Sequence, residues 1–474
     1  MSPALALMLL LAVAAADPQA KSDSERTAQQ AGVRRTLQYA PAPIDNPLKG
    51  LMPWAGDFDE AFPHSLEYHY FSLAEVMPGA NEFDWEKLDA ALDAIAARGH
   101  QAVIRPSLEE PGRADFIPAF LKQGGLKVHE YTIAKHPELK QLATPDYADP
   151  KLRAALTDFI AAFGKKYDGD PRVGFVTAGL LGYWGEWHTY PRNDLFAPKE
   201  TQIAVMDAYE KAFVKTAVVV RRPMGERDAN YAPNAQRRLG YHDDLFAFET
   251  LSRSPGEPAW FFESLLTRAG EAATTKWKTR PIGGEVAPQI QSRLFDAQPG
   301  PDVQSFRECV EATHATWLID HQFFSGRPSA EAIANATREV RRMGYELHVI
   351  AATIASPVDH NIHLTLEISS RGVAPFYYDW PIEIGLLPIK DGRRSAQAAY
   401  THRLNEKLSE LVPADAPYRW TTQLNVAEVP AQNYVAAIRI PNPLPEGRPL
   451  RFANAEQEHT GECWLPLGPV TVEK

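Results

Sequence analysis

The stretch RVGFVTAGLLGYWGEWH, residues 172–188, decides how the rest of the chain is read. Its first half, 173–178, is a short apolar, β-branched run without period-two alternation, which predicts a strand buried on both faces. Its second half changes character at once. Gly179, Gly182 and Gly185 recur every third residue among Tyr183, Trp184, Trp187 and His188, with Glu186 in their midst. A carboxylate buried without a partner costs several kcal/mol, so this segment reads as the floor of a site and not as core. Buried strands that run into polar chemistry at their C-terminal ends belong to parallel α/β sheets.

Outward from this stretch the same unit repeats. Strands are expected around Gly50, Tyr68, Val103, Phe175, Val218, Leu245, Ile282 and Leu318. Helix-period segments fall between them. In residues 83–100, Trp85, Leu88, Leu92 and Ile95 are spaced by threes and fours, and Gly99 marks a stop. Residues 149–170 open with Asp149 and place Pro150 in the first turn, where its missing N–H costs nothing. Further helices are expected at 199–215, in a second stretch before Leu245, and at 261–274, 303–312 and 328–345. Eight such units over residues 40–344 predict a (β/α)8 TIM barrel. An open doubly wound sheet also alternates, but no GxGxxG turn follows an early strand.

From Tyr345 the texture changes. Segments such as YELHVIAATIAS, NIHLTLEISS and NYVAAIRIPNP alternate with period two between Pro, Gly and Asn turns. They predict a C-terminal antiparallel β-sandwich over 345–474. No exposed aromatic row stands out there, so the sandwich is expected to support the barrel.

Composition bounds the function. The chain has 474 residues, 45% of them hydrophobic, enough for two cores. Its 49 Lys and Arg against 60 Asp and Glu give a net charge of −11, which disfavours nucleic acid and anionic membranes as partners. The apolar run 4–16 is too short to span a bilayer comfortably and ends in small residues, so 1–16 reads as a cleaved signal peptide of a secreted or periplasmic protein. The absence of Lys and Arg before that run keeps an N-terminal anchor open. Residues 17–39 read as a flexible leader. Cys309 and Cys463 are expected as free, buried thiols, a disulfide between them being the alternative. With no CxxC pair and no HExxH, neither a metal nor a cofactor is expected.

Two carboxylates fall at expected strand ends: Glu186 after the fourth strand, and Glu285 closing PIGGE at the seventh. In a closed barrel these ends face each other across the mouth. Such a pair is the minimal machinery for glycoside hydrolysis, whose oxocarbenium-like transition state needs one protonated and one ionised carboxyl. Tyr183, Trp184 and Trp187 are expected to desolvate Glu186 and raise its pKa, which suits the acid. Gly283 and Gly284 would let backbone approach a ligand beside Glu285, the nucleophile. Trp184 and Trp187 offer flat faces to sugar rings. Arg105 at the third strand end, Tyr70 near the second, His188, and His321 after the eighth are further candidates for substrate binding. His242, Asp243 and Asp244 read as a solvated turn and not as a cation site, since adjacent strand residues cannot all point one way.

The placement of Glu186 and Glu285 resembles that of clan A glycoside hydrolases, in which the former position is acid/base and the latter nucleophile. Residues 81–100 are similar to the second-helix segment of their β-galactosidase-like members. NPLKGL, IRPSLE, GLLGYWGEWH, GGEVAP and RGVAPFYYDWPIEI together look like a family of exported bacterial proteins. One position departs: clan A acid/base glutamates usually follow an asparagine, and here Gly185 precedes Glu186. The resemblance implies an exported, retaining glycoside hydrolase acting on a carbohydrate. The alternatives are inversion on the same scaffold, or a noncatalytic glycan-binding or surface-attachment protein.

Overall fold

A computed structural model describes residues 32–473 apart from 57, 60, 61, 137, 138, 140, 253–259 and 356. The expected signal peptide, and the leader as far as residue 31, lie outside the described residues. Eight parallel strands, Gly50–Met52, Leu66–Ser72, Gln101–Ser107, Val173–Thr177, Val218–Arg221, Gly240–Phe246, Ile282–Val286 and Trp317–Ile319, pair in chain order, and the eighth returns to the first. Strands one and two are joined just past the end of the first: Tyr68 N–H donates to Pro53 O at 2.9 Å, and Ala55 N–H to Tyr68 O at 2.8 Å. The sheet is therefore a closed (β/α)8 barrel, with a strand at each of the eight expected positions.

Alternation along the strands divides the core. Met52, Tyr68, Val103, Phe175, Val219, Trp317 and Ile319 fill the barrel interior, while Ala102, Ile104, Val176, Val218, Val220 and Tyr241 pack outward against the helices. The helix Pro150–Tyr167 begins where the sequence places it, with Asp149 Oδ1 accepting from Lys151 N–H at 2.7 Å. It buries Leu152, Leu156, Phe159, Ile160 and Phe163, each worth about 1.5–3 kcal/mol.

Two crossovers carry no helix among the described residues, between strands one and two and between strands five and six. The second helical stretch expected before Leu245 is instead a chain of turns over 222–239. Pro223, Gly225 and Pro233 break the pattern, and Asp228 Oδ1 accepts from the backbone of Asn230 and Tyr231 in a side-chain-mediated turn. After strand three an insertion holds the hairpin Val128–Tyr131 with Leu142–Pro145, which packs over the fourth-strand loop. Among the described residues no helix is long and apolar enough to cross a membrane.

The second unit is an antiparallel sandwich. One sheet runs Val33–Thr36, Leu347–Ile354, Asn361–Ser370, Tyr418–Asn425, and the other is built on Glu383–Lys390, Gln432–Arg439 and Leu465–Val472. The leader expected to reach residue 39 thus stops short, because Val33–Thr36 is an edge strand paired with Ile354 to Ala351. The sandwich closes the N-terminal end of the barrel. Tyr378 Oη donates to Gly174 O and accepts from Ala217 N–H, and its ring packs 5.8 Å from Phe175. Cys309 and Cys463 are both buried and are not joined in a disulfide.

Candidate active site

The glycine period of 179–188 is explained by crowding. A Cβ on Gly179 would lie 1.9 Å from Pro106 O, and one on Gly182 would lie 2.3 Å from His188 O. Gly185, at φ 70°, is bounded by Gly179 Cα and Pro106 O. The segment is a tight coil laid on the end of strand three, where Leu180 N–H donates to Pro106 O and Trp184 N–H to Glu109 O. Leu180, Trp184 and Trp187 also take positive φ, a cost of about 1–2 kcal/mol each that gathers on this one loop. Gly185 thus stands where a left-handed backbone meets a close neighbour.

Glu186, its side chain 14% exposed, is delivered to the mouth by that coil. Arg105 Nη1 donates to Tyr70 Oη at 2.9 Å and lies 3.5 Å from Glu186 Oε1, and Nη2 donates to His242 Nε2 at 2.9 Å. A guanidinium only donates, so His242 accepts at Nε2, is neutral, and carries its hydrogen on Nδ1. Burial, then Arg105, holds the His242 pKa well below the usual value. His188 Nδ1 accepts from Tyr190 N–H at 3.3 Å, which leaves Nε2–H facing Glu186 Oε2 at 3.4 Å. Arg221 Nη1 donates to the Glu186 carbonyl at 2.8 Å and its other arm pairs with Asp244. Against burial, Arg221 and Arg222 keep Asp244 well below the usual carboxylate range.

Glu285 stands at the end of strand seven, 7% exposed, with Gln291 Nε2 donating to its Oε1 at 3.2 Å. Burial, then the charge of Glu186, raises its pKa to about 8, with Arg105 opposing. Neighbouring Asp320 is pushed up by burial and by Glu285, and its Oδ2 has no partner among the described residues. The mouth therefore joins Tyr70, Arg105, Glu186, His188, His242 and Glu285 into one electrostatic unit.

Other expectations are corrected. Gly283 and Gly284 serve the fold and not a ligand: a Cβ on Gly283 would fall 2.2 Å from the Trp317 ring that fills the barrel, and one on Gly284 2.3 Å from Asp243 O. Trp187 is buried in the core with Nε1 donating to Ala178 O at 2.6 Å, and Tyr183 is buried with its hydroxyl on Tyr131, so neither lines the mouth. Trp184 remains half-buried on the loop beside Glu110. His242, Asp243 and Asp244 are no solvated turn but part of the buried sixth strand, His242 and Asp244 facing inward and Asp243 taken by Thr250 at 2.6 Å. His321 opens a short helix, its ring stacked on Trp54 at 4.4 Å and 6°, with Trp54 42% exposed at the rim.

Sequence reasoning missed Arg221, Trp54 and Glu109. The RRP that ends strand five was a usable signal for Arg221. Glu109 lies under the loop, accepting from Thr144 at 2.6 Å and Tyr147 at 2.5 Å, and Tyr147 Oη in turn accepts from Gly182 N–H at 2.8 Å. At the opposite end of the barrel, His64, Glu67 and His100 come together, but Arg98 already holds both Glu67 oxygens at 2.8 and 2.6 Å. That group is an ion-pair cluster.

The buried carboxyls give stability a pH dependence. Burial raises Glu109 and Asp243 to about 7 and Glu285 to about 8, so the native state keeps protons that the unfolded chain has lost. From about pH 4.5, where these groups ionise in the unfolded chain, up to about 7 for Glu109 and Asp243 and about 8 for Glu285, stability falls with rising pH, by at most about 1.4 kcal/mol per unit for each group. Below the usual histidine value of 6.5 the buried histidines oppose this slope, because burial holds His64 near 4, and His188 and His242 low, so that at those positions the unfolded chain binds more protons. Thermal midpoints are expected to fall between pH 6.5, above which the histidines no longer oppose the slope, and about pH 8, and to level off beyond it, and Glu109→Gln is expected to lessen the fall below about pH 7.

The fold and the site define a barrel protein with a carboxyl pair at the C-terminal mouth. No family model and no curated protein matches the sequence. Among solved structures the chain is similar to endo-glycoceramidase II from Rhodococcus sp., with 13% identity over 82% of this chain and 99% of that one, and a TM-score of 0.39. It is also similar to the endoglucanase Cel5A of Pseudomonas stutzeri, with 10% identity over 58% and 81% and a TM-score of 0.34. A β-galactosidase from the psychrophilic Marinomonas ef1 aligns at 10% identity over 62% and 59%, with a TM-score of 0.34.

Proposed function

We propose that the chain is an exported glycoside hydrolase that cleaves an oligo- or polysaccharide with Glu186 and Glu285. The observation that carries this reading is the unequal pair: two glutamates from opposite strand ends meet at one mouth, Glu285 holding a proton up to about pH 8 and Glu186 facing Arg105 and His188–H. That is the charge pattern the transition state requires. The apolar run 4–16 supports export.

The roles are exchanged relative to those the family resemblance implies. Glu285, protonated, gives its proton to the departing oxygen as the glycosidic C–O bond breaks. Glu186, which faces Arg105, attacks the anomeric carbon as the carboxylate to form a glycosyl ester. Glu285 then takes a proton from the water that releases the sugar. Arg105 and Tyr70 orient the pair, and Trp54 offers its open face to a sugar ring at the rim. A screen of aryl glycosides and oligosaccharides, with the product anomer followed by NMR, tests the proposal. Retained configuration is the expected result, an inverted product replaces direct attack with water activated by Glu186, and no cleavage of any probe removes the reading.

A further inference from the structure

The end of strand five carries a cation, beside Asp244, that the catalytic scheme does not use. Arg105 is engaged by Tyr70, Glu186 and His242, and Arg221 by the Glu186 carbonyl and Asp244. Arg222, the next residue, is fixed only through its backbone: its N–H donates to His242 O at 3.4 Å, and its carbonyl accepts from Asn234 Nδ2 at 2.9 Å. No hydrogen bond or ion pair ties its guanidinium to another described residue, although the side chain is only partly exposed. The nearby carboxyls are committed elsewhere. Asp244 is paired with Arg221, Asp243 accepts from Thr250, and Glu249 accepts from Trp260 Nε1 at 2.9 Å.

Two further features set Arg222 apart from a solvated surface arginine. Its φ of 62° is left-handed, which costs about 1–2 kcal/mol in a residue with a side chain and holds the group at the end of strand five. Burial and the adjacent charge of Arg221 both act against its ionised form. A poorly hydrated guanidinium beside a second one is an arrangement completed by an incoming anion, which a guanidinium binds through paired N–H donors.

We infer that the mouth takes a glycan bearing an anionic substituent, a uronate carboxylate or a sulfate ester, and that Arg222 receives that charge. This rests on the hydrolase reading for the sugar, and on Arg222 for the charge.

The test uses binding, so that it stands apart from turnover. Full-length protein carrying Glu285→Gln, which stops turnover without changing the charge of the mouth, is titrated, by tryptophan fluorescence and calorimetry, with cellotetraose, tetragalacturonate and a sulfated galactan tetrasaccharide. One or both anionic probes are expected to bind at least about tenfold tighter than cellotetraose. Arg222→Gln is expected to remove about that tenfold, Arg222→Lys to restore part of it, and 0.5 M salt to shrink the difference, as a charge contact requires. Equal or better binding of cellotetraose, no binding of either anionic probe, or an unaltered Arg222→Gln overturns the inference. An anionic probe bound but never cleaved by the native chain keeps the inference and removes the hydrolase reading. A neutral glycan cleaved while both anionic ones are refused does the reverse.

Discussion

Glu186→Gln and Glu285→Gln are each expected to lower kcat on a verified substrate by about a hundred- to ten-thousand-fold, the loss that follows removal of a general acid or its partner. The two variants are expected to fail differently. Because Glu285 is neutral in the native protein below about pH 8, its replacement by a neutral amide of the same shape leaves the mouth's charge unchanged. The fold is therefore expected to persist and, relative to the native protein, to gain stability as the pH rises from about 4.5 to about 8. Glu186→Gln removes the anion facing Arg105 and His188, so binding of substrate and the orientation of Arg105 suffer with the chemistry. Steady-state kinetics beside thermal melts checks both. Near-normal turnover in both variants would remove the mechanism.

Gly283→Ala is expected to cost about 3 kcal/mol or more, the upper range for overpacking a filled core. The added methyl would stand 2.2–2.5 Å from three ring carbons of Trp317, which is fully buried among Phe175 and His242 and has nowhere to go. The damage is expected to reach the site, since Glu285 lies two residues further along the same strand. Combining Gly283→Ala with Trp317→Leu is expected to recover part of the loss, because the smaller side chain vacates the space. A fully additive double variant in urea unfolding would show that Trp317 is not the obstacle.

The fold was legible because burial on both faces leaves a plain mark. Runs such as 102–104, 173–176 and 218–220 are apolar without alternation, and helix-period segments separate most of them. The crossover after Arg221 was not legible, since its Pro and Asp turns follow no period. At the site, Glu186, Arg105, Tyr70, His188 and Glu285 could be singled out because polar residues at the ends of buried strands need a reason. Where that logic failed, partners from distant strands had supplied the compensation. His242, Asp243 and Asp244 look like a turn until Arg105, Thr250 and Arg221 come to meet them. Trp187 and the two glycines before Glu285 look like ligand contacts until the packing they serve is seen. Trp54 carried no local signal, and its place at the rim follows from closure of the barrel against the eighth strand end.

The most direct test of the account is the pH dependence of kcat/KM on the best cleaved glycoside, in the native protein and in Glu285→Gln. With Glu285 as the acid, its proton is present below about 8 and lost above it, so the rate is expected to hold on the neutral side and fall about tenfold per unit beyond pH 8. In Glu285→Gln the residual rate is expected to lack that limb. A rate that instead rises through pH 8 would make Glu285 the nucleophile, and a limb that survives the substitution would show that the pair does not perform the chemistry.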